Sequence, residues 1–147
     1  MQIERDTLIA APVERVWALI TEAEHLGRWF GDSGAEIDLR PGGALTMRWA
    51  DYGVALARIV AVEPHTRFSY RWVPYPSEGV EPTDGNSTLV EFTLEPEDDG
   101  TRLRVVESGF EKLDRPPAAI DEAVEGNTKG WQSEIAELRD YAERVTA

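Results

Sequence analysis

Apolar and polar positions change period several times along the chain, and each change marks an element. Residues 2–9 are rich in β-branched side chains and predict a first strand that ends at Ala10-Ala11-Pro12. Proline suits the first turn of a helix, where its missing N–H has no partner to lose. Val13, Val16, Trp17 and Ile20 then follow at i, i+3, i+4 and i+7, which predicts a short helix with one buried face. A second short helix is predicted over 22–29, with Glu22, Glu24 and His25 on its polar side and Leu26 and Trp29 three apart, ending at Phe30-Gly31-Asp32.

The period then shortens to two. Strands are predicted over 35–39 and 44–49, joined by Pro41-Gly42-Gly43, with Leu45, Met47 and Trp49 alternating against Thr46 and Arg48. Residues 53–63 are nearly continuous apolar residues broken by Arg58, and after Glu63-Pro64-His65 the alternation of Phe68, Tyr70 and Trp72 with Arg67, Ser69 and Arg71 is very clean. Residues 73–86, rich in proline and carrying Asp84-Gly85, predict a long surface loop of the kind that is often functional or mobile. Residues 87–95 and 101–107 predict a hairpin around Pro96-Glu97-Asp98-Asp99-Gly100, with Asp99-Gly100 expected to supply the positive-φ turn. Beyond Pro116-Pro117 a long helix is predicted to about Arg144, carrying Trp131, Ile135, Leu138, Ala142 and Val145 at helical spacing and weakened in its first half by Gly126 and Gly130. The order implies an α+β fold of about six to seven antiparallel strands, with the long helix covering one sheet face, because a sheet cannot bury that face alone.

Length and composition fit one domain spanning 1–147: the chain is 41% hydrophobic and 29% charged, and single cores occupy roughly 100–200 residues. The net charge of −13 is concentrated in residues 51–100, where Arg58, Arg67 and Arg71 stand against ten acids. That balance removes the electrostatic basis of nucleic-acid binding and disfavours anionic membranes. With no cysteine, there is no disulfide, thiol nucleophile or zinc knuckle. A charged start and the lack of any apolar run long enough to span a bilayer predict a cytoplasmic protein with no membrane insertion.

Catalytic signatures are missing. Nothing requires His25 and His65 to meet, and a metal site needs several convergent ligands, so no metal and no cofactor are expected. No phosphate loop, nucleophile elbow or helical zinc motif occurs, and Pro41-Gly42-Gly43 is a turn without a following helix start. The unusual endowment is aromatic: Trp17, Trp29, Trp49, Trp72 and Trp131, with Phe68, Tyr70, Phe92 and Phe110 near strand positions. Such side chains either fill a core or line a ligand cavity between sheet and helix, with Trp17 assigned to the core. Strand parity aims Glu107 to the same face as Leu103 and Val105. It either escapes to solvent at the strand end or is a polar contact at the pocket with a raised pKa, because a lone carboxylate is costly on a dry face.

Taken in order, Ala11-Pro12-Val13-Glu14-Arg15-Val16-Trp17, Trp29-Phe30, Arg40-Pro41-Gly42-Gly43, Glu63-Pro64 with Arg67-Phe68-Ser69-Tyr70-Arg71-Trp72, Gly100-Thr101-Arg102-Leu103 with Glu107-Ser108-Gly109-Phe110, and Gly130-Trp131 resemble one family over essentially the whole chain. It is that of the bacterial single-domain homologues of the activator of the heat-shock-protein ATPase, within the START-like (SRPBCC) superfamily. The resemblance implies a helix-grip fold, a curved antiparallel sheet wrapped around a long C-terminal helix with two short helices closing one end. It also implies a cavity of the type in which START-like relatives bind lipids, sterols or polyketides, some relatives being cyclases or dehydratases. The eukaryotic activator owes its chaperone binding largely to an additional N-terminal domain that this chain does not include, so the chaperone activity is not carried over.

The leading expectation is a non-catalytic binding protein for a small hydrophobic or aromatic ligand. Strand parity and helical phase assign the lining to Met47, Trp49, Tyr70, Trp72, Phe92, Val105, Trp131 and Ile135, with Trp29 and Phe30 near an entrance. Tyr70 and Glu107 are the polar contacts that would orient the ligand. A cyclase- or dehydratase-like enzyme, with Glu107 or Tyr70 shuttling a proton, is the alternative. A third reading is a chaperone-associated or stress-response interaction through the acidic middle third and the loop at 73–86, and a homodimer is left open.

Overall fold

The computed structural model describes residues 2–51, 53–75 and 79–146. Seven strands form one antiparallel sheet in the order β1-β7-β6-β5-β4-β3-β2: β1 (Gln2–Ile9), β2 (Ala35–Ile37), β3 (Ala44–Trp49), β4 (Gly53–Glu63), β5 (Arg67–Trp72), β6 (Thr88–Glu97) and β7 (Gly100–Ser108). Helices α1 (Val13–Thr21) and α2 (Ala23–Trp29) link β1 to β2, and α3 (Pro117–Thr146) packs back over the sheet. This is the α+β helix-grip arrangement expected from the sequence. Strands β3 and β4 match their predicted limits, while β2 stops two residues early, at Ile37.

Local chemistry explains the boundaries. Pro12 is the N-cap of α1, one residue before the helix, and its carbonyl accepts from the Arg15 and Val16 N–H groups at 3.0 and 3.1 Å. A bulge between Ile59 and Ala61 shifts the register of β4 against β5, so the inward face passes from odd-numbered Ile59 to even-numbered Val62. Such a bulge also bends the strand around the helix. At the β6–β7 turn the positive φ falls on Asp98, at 51°, and not on Gly100. Gly100 is needed for a different reason: a Cβ there would lie 2.3 Å from the Ile9 carbonyl oxygen, so the neighbouring strand end can approach only a glycine.

The inward face is set by register. Ile59, Tyr70, Val90, Glu107 and Ile3 are successive partners in one row across five strands, all nearly or fully buried. From the helix side, Ala123, Trp131, Ile135, Leu138 and Ala142 close on that face. Trp17 is buried edge-on to Phe68 at 6.4 Å and belongs to the core. Glycines 126 and 130 do not interrupt α3, which runs unbroken for 30 residues because its apolar stripe is held by the sheet.

Part of the loop predicted at 73–86 lies outside the described residues, at 76–78. The rest is tied down. Arg58 donates to both carboxylate oxygens of Glu81 at 3.1 and 2.8 Å, Asp114 N–H donates to the Gly85 carbonyl at 2.7 Å, and the Arg115 guanidinium lies 4.1 Å over the Tyr75 ring.

Candidate functional site

A cavity of about 570 Å³ lies between the first half of α3 and the adjacent ends of β4 and β5 with the start of the following loop. Five aromatic side chains line it: Phe30 after α2, Trp49 ending β3, Trp72 ending β5, Tyr75 in the loop that follows, and Trp131 on α3. Phe30 is the hub, with ring centroids 5.4 Å from Trp49, 5.7 Å from Trp72 and 5.5 Å from Trp131. Its place is fixed at both ends. The ring stacks on Trp29 at 5.1 Å, and its carbonyl accepts the Trp49 indole N–H at 2.7 Å. Gly31 lets the chain turn there, since a Cβ would meet the Arg48 carbonyl oxygen at 2.9 Å.

Behind two of these rings sits Glu107, fully buried. Oε1 accepts the Trp131 indole N–H at 2.8 Å, and Oε2 accepts the Trp72 indole N–H at 2.8 Å and the Thr88 hydroxyl at 2.6 Å. The Asn127 amide reaches both oxygens, at 3.0 and 3.2 Å. One carboxylate thus bolts the sheet wall to the helix wall and sets the angle at which both indoles face the cavity. Burial pushes its pKa up, while the hydrogen bonds from Thr88, Trp72, Trp131 and Asn127 pull it down. Solvent escape at the strand end does not occur, because α3 covers that end with Trp131 and Asn127.

Two buried polar atoms have no hydrogen-bond partner among the described residues: the Tyr70 hydroxyl and Oε2 of Glu134. Glu134 lines the cavity beside Asn127, Lys129 and Ser133. Burial, followed by the charges of Glu137 and Asp32, raises its pKa to about 8, so at neutral pH it is mostly a neutral acid. Tyr70 does not line the cavity, and burial together with the charges of Glu107 and Glu134 holds its hydroxyl well above the usual phenol range. It is therefore a neutral hydroxyl.

Of the lining assigned from sequence, Phe30, Trp49, Trp72 and Trp131 meet at this cavity. Met47, Tyr70, Phe92 and Val105 lie in the packed interior. Trp29 is turned away, its indole N–H donating to the Leu19 carbonyl at 2.7 Å. Ile135 borders a second, more polar hollow of about 380 Å³ between β1 and α3, whose walls include Arg5, Asp6, Arg139 and Glu143. Asn127 and Glu134 were not singled out by the sequence reading. Their signal was available: they stand four before and three after Trp131, on the phase of the apolar stripe, where a polar side chain is out of place. Among the described residues no group of His, Asp or Glu could hold a metal ion, and no helix is long and apolar enough to cross a membrane.

No curated protein matches the chain. Among solved structures, protein MLL2253 from Mesorhizobium loti superposes with a TM-score of 0.79 at 23% identity over 98% of both chains. DynU16, from the dynemicin biosynthetic locus, gives 0.74 at 24% identity over 97% of this chain and 47% of its own. Aha1 from Colwellia psychrerythraea, solved as a dimer, gives 0.73 at 16% identity over 97% and 96%. At these identities the likeness is one of fold. The family model described as Activator of Hsp90 ATPase homolog 1-like protein matches residues 10–143, nearly the whole length, and the chain belongs to that family.

Proposed function

We propose that the protein binds a small hydrophobic or aromatic molecule, of lipid, sterol or polyketide-like class, in the cavity between sheet and C-terminal helix, without catalysing its conversion. The observation that supports this reading is the cavity of about 570 Å³ walled by Phe30, Trp49, Trp72 and Trp131. Pockets of this size lined by aromatic faces, with a few polar groups, are characteristic of ligand sites. The lining supports a hydrophobic or aromatic ligand; the lipid, sterol and polyketide classes are what the START-like resemblance implies. DynU16 belongs to a biosynthetic locus, but its likeness to this chain is one of fold.

The cyclase- or dehydratase-like alternative required Glu107 or Tyr70 to move a proton on a bound chain. Both are buried, neither lines the cavity, and Glu107 is engaged by four donor side chains. Glu107 is better suited to positioning the indoles than to meeting a substrate. Native mass spectrometry of the purified protein, then fluorescence titration with naringenin, oleate and cholesterol, tests the proposal. Saturable binding that weakens at least tenfold in both Trp72→Ala and Trp131→Ala is expected. Binding unchanged in both variants would place the site elsewhere.

A further inference from the structure

The cavity combines features that a purely apolar ligand would leave unused. Its aromatic walls present electron-rich faces. The Trp72 and Trp131 indole N–H groups both donate to the Glu107 carboxyl; when that group is ionised, it polarises the rings and enriches their faces further. On the helix wall, Oε2 of Glu134 is buried with no hydrogen-bond partner. The charged and titratable groups around it are Glu137 on its own helix, Asp32 from the segment after α2, Tyr70 from β5, and Lys129 farther along the cavity wall. Lys129 is exposed and paired with Glu125 at 3.3 Å, Arg115 lies over the ring of Tyr75, another lining residue, and Tyr70 is neutral, so the charges acting on Glu134 are those of Glu137 and Asp32.

We propose that the ligand of this cavity carries a positive charge, as an amine or quaternary ammonium group attached to an apolar body, with the cation held against the wall formed by Phe30, Trp49, Trp72 and Trp131 and neutralised by Glu134. The inference rests on the binding reading above and narrows its ligand class. Aromatic faces attract cations through their quadrupoles, most strongly where water is excluded. A cation also stabilises the Glu134 carboxylate beside Glu137 and Asp32, which a neutral ligand does not and an anion opposes.

The proton balance gives the site a signature. Empty, the Glu134 carboxyl loses its proton only near pH 8. A permanent cation favours the carboxylate, so below that pH binding releases a proton and affinity rises with pH by up to about tenfold per unit. Above it affinity is flat.

Three probes of one shape separate the charges: phenyltrimethylammonium, its neutral isostere tert-butylbenzene, and benzenesulfonate. None titrates between pH 6 and 9. Binding is read from the indole signals in proton–nitrogen correlation spectra of the full chain. Expected is a Kd for phenyltrimethylammonium at least tenfold below that of tert-butylbenzene at pH 8.5, weakening steadily from pH 8 to pH 6. In Glu134→Gln the preference falls to within about threefold and the pH dependence disappears. In Glu137→Gln the preference survives and the plateau begins at lower pH, since one repelling charge is gone. A neutral or anionic probe that binds as tightly as the cation, or a preference unaffected by Glu134→Gln, overturns the charge assignment and leaves the apolar-binding reading standing. Indole signals unmoved by all three probes would overturn both.

Discussion

Along α3, residues 135–145 and residues 120–134 lie over one sheet, yet the later stretch leaves only the polar hollow of about 380 Å³ beside β1 and the earlier one leaves the aromatic cavity of about 570 Å³. The later stretch buries Leu138, Tyr141 and Ala142, and the short helices lock onto it: the Tyr141 hydroxyl meets His25 Nδ1 at 2.7 Å, and Arg15 donates to the Val145 carbonyl at 3.0 Å. The earlier stretch turns Gly126, Asn127, Gly130 and Glu134 toward the cavity. Aromatic rings occur on both sides, Trp17 and Phe68 in the closed region and Trp49 and Trp72 in the open one. Aromatic content therefore does not decide whether a core is filled. What decides it is the side chain opposite, and here two glycines one turn apart leave room that Leu138 takes up farther along.

By that contrast, truncation in the closed region costs mainly stability and truncation in the open region costs mainly binding. Phe68→Ala removes a fully buried ring and is expected to lower unfolding free energy by about 3–5 kcal/mol, read from urea denaturation. Glu107→Ala sits on the border of the two regions. It strands the donors of Trp72, Trp131, Thr88 and Asn127 and is expected to cost about 3 kcal/mol while also weakening ligand binding. An effect on stability alone would show that Glu107 does not set the indole walls.

Smaller effects sharpen the comparison. At Gly126 and Gly130 an added Cβ meets nothing within 4 Å. Gly130→Ala is expected to raise stability by about 0.5–1 kcal/mol from helix propensity, and Gly130→Leu to keep the fold while reducing ligand affinity at least tenfold. Retained affinity in Gly130→Leu would mean that the space beside this turn is not the site. The pH response is of comparable size. Glu134 has its pKa raised to about 8 by burial, so the folded state holds a proton that the unfolded chain has released above its ordinary carboxyl pKa. Stability contributed by the neutral form is full below that ordinary value and is lost as pH rises toward about 8. Thermal unfolding should therefore show Glu134→Gln gaining on the parent between pH 5 and pH 8.5, by about 1–2 kcal/mol after allowing for partial solvent exposure.

The contrast between the regions also explains what could be read from sequence. Strand limits, helix order and the inward parity of Glu107 follow from periods of two and 3.6, which act locally and are visible residue by residue. The cavity does not. Trp29 and Phe30 are adjacent and equally aromatic, yet one indole N–H is taken by Leu19 on α1 while the other ring faces the cavity, a distinction made by how α2 rests on α1. Asn127 and Glu134 were passed over because a search for apolar positions skips the polar residue that interrupts a stripe. The walls from 54–56 and 73–75 come from the start of β4 and the start of a loop, where neither period points to a ligand.

The five tryptophans divide along the same line, and this makes the most direct test. Trp17 and Trp29 belong to the closed core, whereas Trp49, Trp72 and Trp131 face the cavity. Nitrogen-labelled protein titrated with naringenin should show saturable shifts of the last three indole N–H signals while those of Trp17 and Trp29 stay in place. Shifts spread evenly over all five, or none at saturating naringenin, would contradict a binding cavity at the open end of the helix grip.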